Sequence, residues 1–426
     1  MTPALTNASA AGEAALHAPR TAVLMFLSFA FAYFFSTLLR AVTATLAPSF
    51  SVELGLDAGQ LGLLAGAYFF GFATTQLPLG AALDRHGPRR VLLALLGVAV
   101  LGTAGFALAT GFASLTIARV LIGIGVSACL MAPMTAYRRG FTPAAQLRAN
   151  AWMLMTGSLG MVASTLPVQW LLPRFGWRPL FWAAALGLAL AMLGVALCVP
   201  RDRPAPAPAG GGVALPGFGV VFRHPAFVRF APLAFLLNGG LMAVQSLWAG
   251  PWLVQVCGWS PDEAARGLFA INLAMLVAYL GWGALAPALY RRGWEAERLL
   301  TVGAPLAAAS LGLLVLLGEQ ASAWAIALYC VVCTVMSLAQ PAVGQAFDKA
   351  IAGRALTAYN LLIFLGTFVL QWGIGLAVDG LLAAGASPVS AYRGAFALLT
   401  AGAAAGAAWF VWRGHRTPAG VGAGPA

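Results

Sequence analysis

Apolar residues in this chain come in long runs, each about the 20 residues that carry a helix across the hydrocarbon core of a bilayer. Short segments holding the charges, prolines and glycines separate them. Reading from break to break predicts twelve spans: 22–48, 58–82, 91–110, 114–137, 149–172, 178–199, 228–256, 265–289, 299–317, 322–346, 355–381 and 391–412. The turns at 110/114 and 317/322 are the shortest. The longest interruption, 200–227, carries Pro-Arg-Asp-Arg-Pro-Ala-Pro-Ala-Pro-Ala-Gly-Gly-Gly, a density of Pro and Gly that holds no packed helix. The predicted organisation is a disordered cytoplasmic tail over 1–21, six helices over 22–199, a cytoplasmic linker over 200–227, six helices over 228–412 and a tail over 413–426. The fold class is all-α integral membrane, with two pseudo-symmetric six-helix bundles.

Composition agrees. The chain is 61% hydrophobic and 8% charged, where a soluble domain carries about a quarter charged residues. The net charge of +12 raises nucleic-acid binding as a question, because 24 residues are basic, all arginine except Lys349. Their placement answers it. If both termini are cytoplasmic, 18 bases fall on inner loops and tails and four, Arg174, Arg178, Arg266 and Arg393, on outer ones. That bias predicts N-in and C-in, and no nucleic-acid partner. Cys330-x-x-Cys333 has a redox or zinc spacing but sits mid-helix, so packing is the expected role and no metal or cofactor is predicted.

The halves echo each other at one offset. Gly87 and Gly293, Arg148 and Arg354, and Gly160 and Gly366 are each 206 residues apart at matching places in their spans. Duplicated transporters place substrate where the repeats meet, near the midplane.

The most specific motif follows the second span: Gly80-Ala-Ala-Leu-Asp84-Arg85-His86-Gly87-Pro88-Arg89-Arg90. It resembles the signature loop of the major facilitator superfamily, Gly-x-x-x-Asp-Arg-x-Gly-x-Arg-Arg, at every defining position. Arg119-Val-Leu-Ile-Gly123-Ile-Gly125 is similar to the superfamily's fourth-helix pattern, and Tyr290-Arg291-Arg292-Gly293 to a degenerate second copy of the loop. The resemblance implies a 12-helix transporter of the bacterial inner membrane, monomeric, in which Gly80, Asp84, Arg85, Gly87, Arg89 and Arg90 latch the halves in one gating state. Gly80 would permit close helix contact there, and Asp84 would cap or pair with a neighbouring helix end. One departure matters: the fifth span, Thr156 to Pro167, lacks the Gly-Pro pair of the superfamily's drug/proton antiporters.

Ionisable residues inside a span are expensive and mark function. Two are present, both cations. Arg40 lies about 12 Å inward from Pro48 at the helical rise; Arg119 is five residues from its span's outer end and within snorkelling reach of the interface. No acid falls mid-span. A guanidinium with no internal counter-ion suits a carboxylate or phosphate. The alternative for Arg40 is bonding to helix carbonyls or a distant acid; for Arg119 it is helix–helix architecture or proton coupling. First-helix arginines bind anions in the organophosphate/phosphate and anion/cation branches, which this segment loosely resembles. Gln76, Asn238, Gln245, Trp252, Asn272, Asn360 and Gln371 are further candidate substrate contacts, along with Gln340; Asn238, Gln245 and Trp252, seven apart, predict one face of span seven. Tyr33, Tyr68 and Tyr279 are candidate ring contacts.

The expected function is transport of a small organic anion by alternating access, coupled to protons or a counter-anion. Efflux of amphiphilic compounds, and a membrane-embedded solute sensor, are the alternatives. No nucleophile–base set falls in a span, so no enzyme is predicted.

Overall fold

The computed structural model describes residues 18–201 and 218–416, and every regular element among them is a helix. Six helices make the first half: α1 Pro19–Leu54, α2 Ala58–His86, α3 Pro88–Leu108, α4 Phe112–Val126 continued by Met131–Gly140, α5 Pro143–Ala163 continued by Leu166–Phe175, and α6 Trp177–Cys198. The second half holds α7 Pro225–Gln255, α8 Pro261–Arg291, α9 Ala296–Leu317, α10 Ala323–Gln345, α11 Lys349–Ala383 and α12 Pro388–Arg416.

Local chemistry sets the ends. Proline opens α1, α3, α5 and α8, where its missing N–H loses nothing. Asp57 and Gln60 box the start of α2, and Ser260 and Glu263 that of α8. Gly87 and Gly293 close the equivalent turns after α2 and α8 with φ of 83° and 78°, a conformation that favours glycine.

Ten of these helices are long and apolar enough to cross a membrane, and the two parts of α5, bent by 42°, make an eleventh. The twelfth, α2, is diluted by glycines and by Thr74, Thr75 and Gln76. It packs against protein on two sides, α4 and α11, so it needs less of a lipid-facing surface. Elsewhere that surface is plain: Leu101, Leu197 and Leu316 are 71%, 75% and 77% exposed, as only lipid would tolerate at this density.

Several predicted boundaries move. Residues 19–21, assigned to the tail, begin α1; α12 runs on through Arg416. Phe218–Arg223, inside the predicted linker, is a short helix with Val221 buried, and α7 starts at Pro225. Predicted linker residues 202–217 and tail residues 1–17 and 417–426 lie outside the described residues.

Buried apolar residues form two clusters. One is built from the first half, from Met25 to Val199, with Phe364 added. The other is built from the second half, with Ala44, Ala47, Leu61 and Ala65 added. Each half therefore has its own core, touching the other through a few residues. The duplication is visible in packing: a Cβ on Gly160 would strike the Phe34 carbonyl of α1, and one on Gly366 the Phe235 carbonyl of α7. Gly123 and Gly125 of α4 likewise seat directly on the backbones of α2 at Tyr68 and α3 at Ala99.

By chain direction, the 86–88 turn and the ends of α4, α6 and α8 share one end of the bundle, the basic end. Contacts between halves lie toward the other end. Asp379 of α11 accepts from the Ala58 and Gly59 N–H groups at 3.1 and 2.6 Å. Gln169 of α5 donates to Asp262 of α8 at 3.0 Å. Gly250 of α7 sits against the Ala44 carbonyl of α1. The Phe364 ring meets Phe72 at 4.1 Å. Toward the basic end the halves part: no atom lies within 4 Å of a Cβ built on Gly80, and Asp84 is exposed. The space between the halves is a wedge, sealed at one end and open at the basic end.

Candidate functional site

Arg40 stands at mid-depth on α1, half-buried. Three ties hold the turn that carries it. Arg119 of α4 donates to the Leu39 carbonyl at 2.8 Å and the Thr43 hydroxyl at 2.6 Å. Tyr68 of α2 donates its hydroxyl to the Ser36 carbonyl at 3.1 Å. Thr45 donates to the Ser164 carbonyl at the bend of α5, at 2.8 Å. Locked supports of this kind hold a binding group in place before its ligand arrives.

The Arg40 guanidinium meets only weak partners. Its Nη2 donates to the Met161 thioether of α5 at 3.7 Å. The Tyr33, Tyr68 and Tyr279 phenols lie close enough to feel its charge. The two ion pairs among the described residues, Arg178–Glu53 and Arg229–Glu297, are both elsewhere. No carboxylate among those residues neutralises Arg40.

The second half presents amides. Asn272 of α8 donates Nδ2 to the Leu268 carbonyl at 2.9 Å, which turns its Oδ1 toward Gln245 of α7. Gln245 donates Nε2 to that oxygen at 2.9 Å and to the Met161 sulfur at 3.5 Å. One sulfur thus takes N–H groups from both halves. Gln340 and Asn360 pair at 3.1 Å between α10 and α11.

Other predicted contacts are placed differently. Arg119 is 1% exposed and turned inward against the Tyr68 ring, 5.3 Å from its centroid. It does not snorkel, because α1 offers it two oxygens; its position is a strut under Arg40. Trp252 is fully buried against Phe396, off the Gln245 face. Residues Val244–Trp248 form a π-helical turn, whose wider winding rotates the next stretch of helix and breaks the seven-residue phase. A second such turn, Leu233–Asn238, ends at Asn238, which stays half-buried. Gln371 is fully buried: it donates to Ser246, and its carbonyl accepts from Trp248, so it fastens α11 to α7. Gln76 folds back on the Phe72 carbonyl of its own helix.

In the signature loop, Gly87 makes the turn and Arg89 donates to the Ala196 carbonyl of α6 at 2.6 Å. Gly80 makes no close helix contact and the exposed Asp84 caps no helix among the described residues, because the halves are apart at that end. Arg85 and Arg90 are exposed beside it. Reading the sequence missed Met161, since a methionine in an apolar run looks like core, and the crossing contact of Asp379.

The family model described as Major Facilitator Superfamily matches residues 29–371. The chain belongs to that superfamily. Among its relatives, the 4-hydroxybenzoate transporter PcaK of Acinetobacter baylyi is 30% identical over 38% of this chain and 35% of its own length. The cis,cis-muconate transport protein of the same organism is 26% identical over 57% and 61%. The gallate transporter of Pseudomonas putida is 31% identical over 36% and 34%. The chain thus spans about a third to three-fifths of these relatives. In fold it is similar to a bacterial homolog of the human lysosomal transporter Spinster, with TM-score 0.72 and 18% identity over 95% of this chain and 100% of that one. It is also similar to a D-xylose–proton symporter, with TM-score 0.73 and 16% identity over 91% and 97%. Its long apolar helices make this superfamily member a multi-pass membrane protein.

Proposed function

We propose that this transporter carries a small organic carboxylate across the bacterial inner membrane by alternating access, with Arg40 as the anchor for the carboxylate. The observation that carries the reading is Arg40 itself, a permanent cation in the inter-half wedge whose neighbours are a thioether and phenols. In a medium of low dielectric such a charge draws an anion strongly, and its fork geometry suits a carboxylate. The relatives support the class, since 4-hydroxybenzoate, cis,cis-muconate and gallate are all carboxylates. Tyr33 and Tyr279 near the guanidinium suit a flat, unsaturated body. The positive-inside bias assigns the basic end, where the wedge opens, to the cytoplasm, with both termini there. Coupling to protons or to a counter-anion fits equally with a site lacking a mid-span acid.

The test is uptake in proteoliposomes of radiolabelled 4-hydroxybenzoate, cis,cis-muconate, an organophosphate and a neutral sugar. The carboxylates are expected to be carried; Arg40→Ala abolishes transport and Arg40→Lys, which loses the fork, lowers it at least tenfold. Transport of the neutral sugar undiminished in both variants refutes the reading.

A further inference from the structure

We infer that the Met161 thioether stands where the substrate's carboxylate binds, and that the carboxylate displaces it to take one donor from each half of the protein. The inference rests on the reading of Arg40 above and adds the second donor and the competitor. Met161 Sδ lies 3.7 Å from Arg40 Nη2 on α1 and 3.5 Å from Gln245 Nε2 on α7. A neutral sulfur is a weak acceptor, so it holds two good donors together without satisfying either well. The donors are aimed independently of it. The strut from Arg119 and the ties at Ser36 and Thr45 fix the turn of Arg40. The Leu268–Asn272–Gln245 relay leaves Gln245 one N–H directed at the sulfur.

A carboxylate in that place exchanges two N–H···S contacts for two N–H···O bonds, both charge-assisted because the acceptor is ionised, each about twice as strong as a neutral bond, and the one to Arg40 an ion pair besides. Because α1 and α7 belong to opposite halves, the anion draws them together. Binding and closure of the wedge are then one event, and a neutral analogue that cannot outbid the thioether gains neither. Met161 sets the threshold that a ligand must exceed. It is a selectivity element, distinct from the anchor.

The experiment compares variants of nearly constant volume. Binding of 4-hydroxybenzoate to the full-length protein in nanodiscs is measured by titration calorimetry for wild type, Met161→Leu, Met161→Gln and Arg40→Ala, each checked for an unchanged Tm. Leucine fills the place but accepts nothing, so Kd is expected to fall about threefold. Glutamine offers a carbonyl oxygen to the same donors, so Kd is expected to rise about tenfold. A packing role would move both variants the same way. Leu and Gln variants that both weaken binding, or that both stay within twofold of wild type while Arg40→Ala abolishes it, overturn the inference and leave the anchor standing. Binding unchanged in Arg40→Ala overturns the anchor and this inference with it.

Discussion

Besides the contact of α1 with α7, two seams join the halves, and the duplication makes them equivalent: α2 against α11, and α8 against α5. They are not alike. Along the first, Gly59, Gly62 and Gly66 of α2 lie against Asp379, the Gln371 carbonyl and Phe368 of α11, and Gly375 returns the contact on the Ala58 carbonyl. The 206-residue offset carries those three glycines onto Ala265, Leu268 and Asn272 of α8, and Gly375 onto Gln169 of α5. None of the three positions on α8 is a glycine, and Leu268 and Asn272 meet α7 at Gly250 and Gln245. The second seam is bonded by Gln169 to Asp262 at its outer end, beside a recess of about 570 Å³ lined by Gln169, Trp170, Pro173, Arg174 and Asp262. Capping across the seam is also one-sided, because the acids at the start of α8, Asp262 and Glu263, belong to α8 itself. Asp379 caps the first helix of its seam, while its equivalent on α5 is Pro173. A carboxylate at a helix N-terminus opposes the partial positive charge there. The comparison teaches that a duplicated frame can serve as a tight hinge, capped from the opposite half, on one side and a loose clasp on the other.

The largest effect is expected from filling the tight seam. Gly62→Val would drive a side chain into the Gln371 carbonyl and the Trp248 ring, an overpacking of about 1–3 kcal/mol. Substrate uptake in proteoliposomes is expected to fall more than tenfold. Undiminished uptake would mean that the seam need not close.

Next comes the cap. Asp379→Asn keeps the shape and removes the charge, about 1 kcal/mol at a helix N-terminus, so the ratio of sealed to unsealed molecules should shift about fivefold. Spin labels at Val52 and Ser387, one on each half at that end, would report a longer-distance population. An unaltered distance distribution would relegate Asp379 to local capping.

The smallest effect is expected from Gln169→Leu. Asp262 is exposed and regains water, so the change is worth less than about 1 kcal/mol, and the same label pair should read as wild type within twofold. A shift matching that of Asp379→Asn would erase the asymmetry between the seams.

The spans and the turns at Gly87 and Gly293 were legible because apolar run length and left-handed glycine are local properties. So was Arg40, since a cation in a span stands out by itself. Arg119 was legible as a charge but not as a strut, because its acceptors, Leu39 and Thr43, are about 80 residues away along the chain. Trp252 was misplaced because nothing in its neighbourhood announces a π-helical turn. Met161 meets Arg40 from a helix about 120 residues away and Gln245 across the gap between halves, and Asp379 acts across that gap, which a single sequence does not show.

The wide turns of α7 carry one more consequence. A π-helical turn closes its bonds over five residues in place of four and so takes one extra residue into its winding. The five residues Gly239–Ala243 lie between two such turns, so each added residue turns the helix after it by about 100° from where an unbroken α-helix would place it. Gln245, inside the second of these turns, owes its aim at Met161 and Asn272 to that offset.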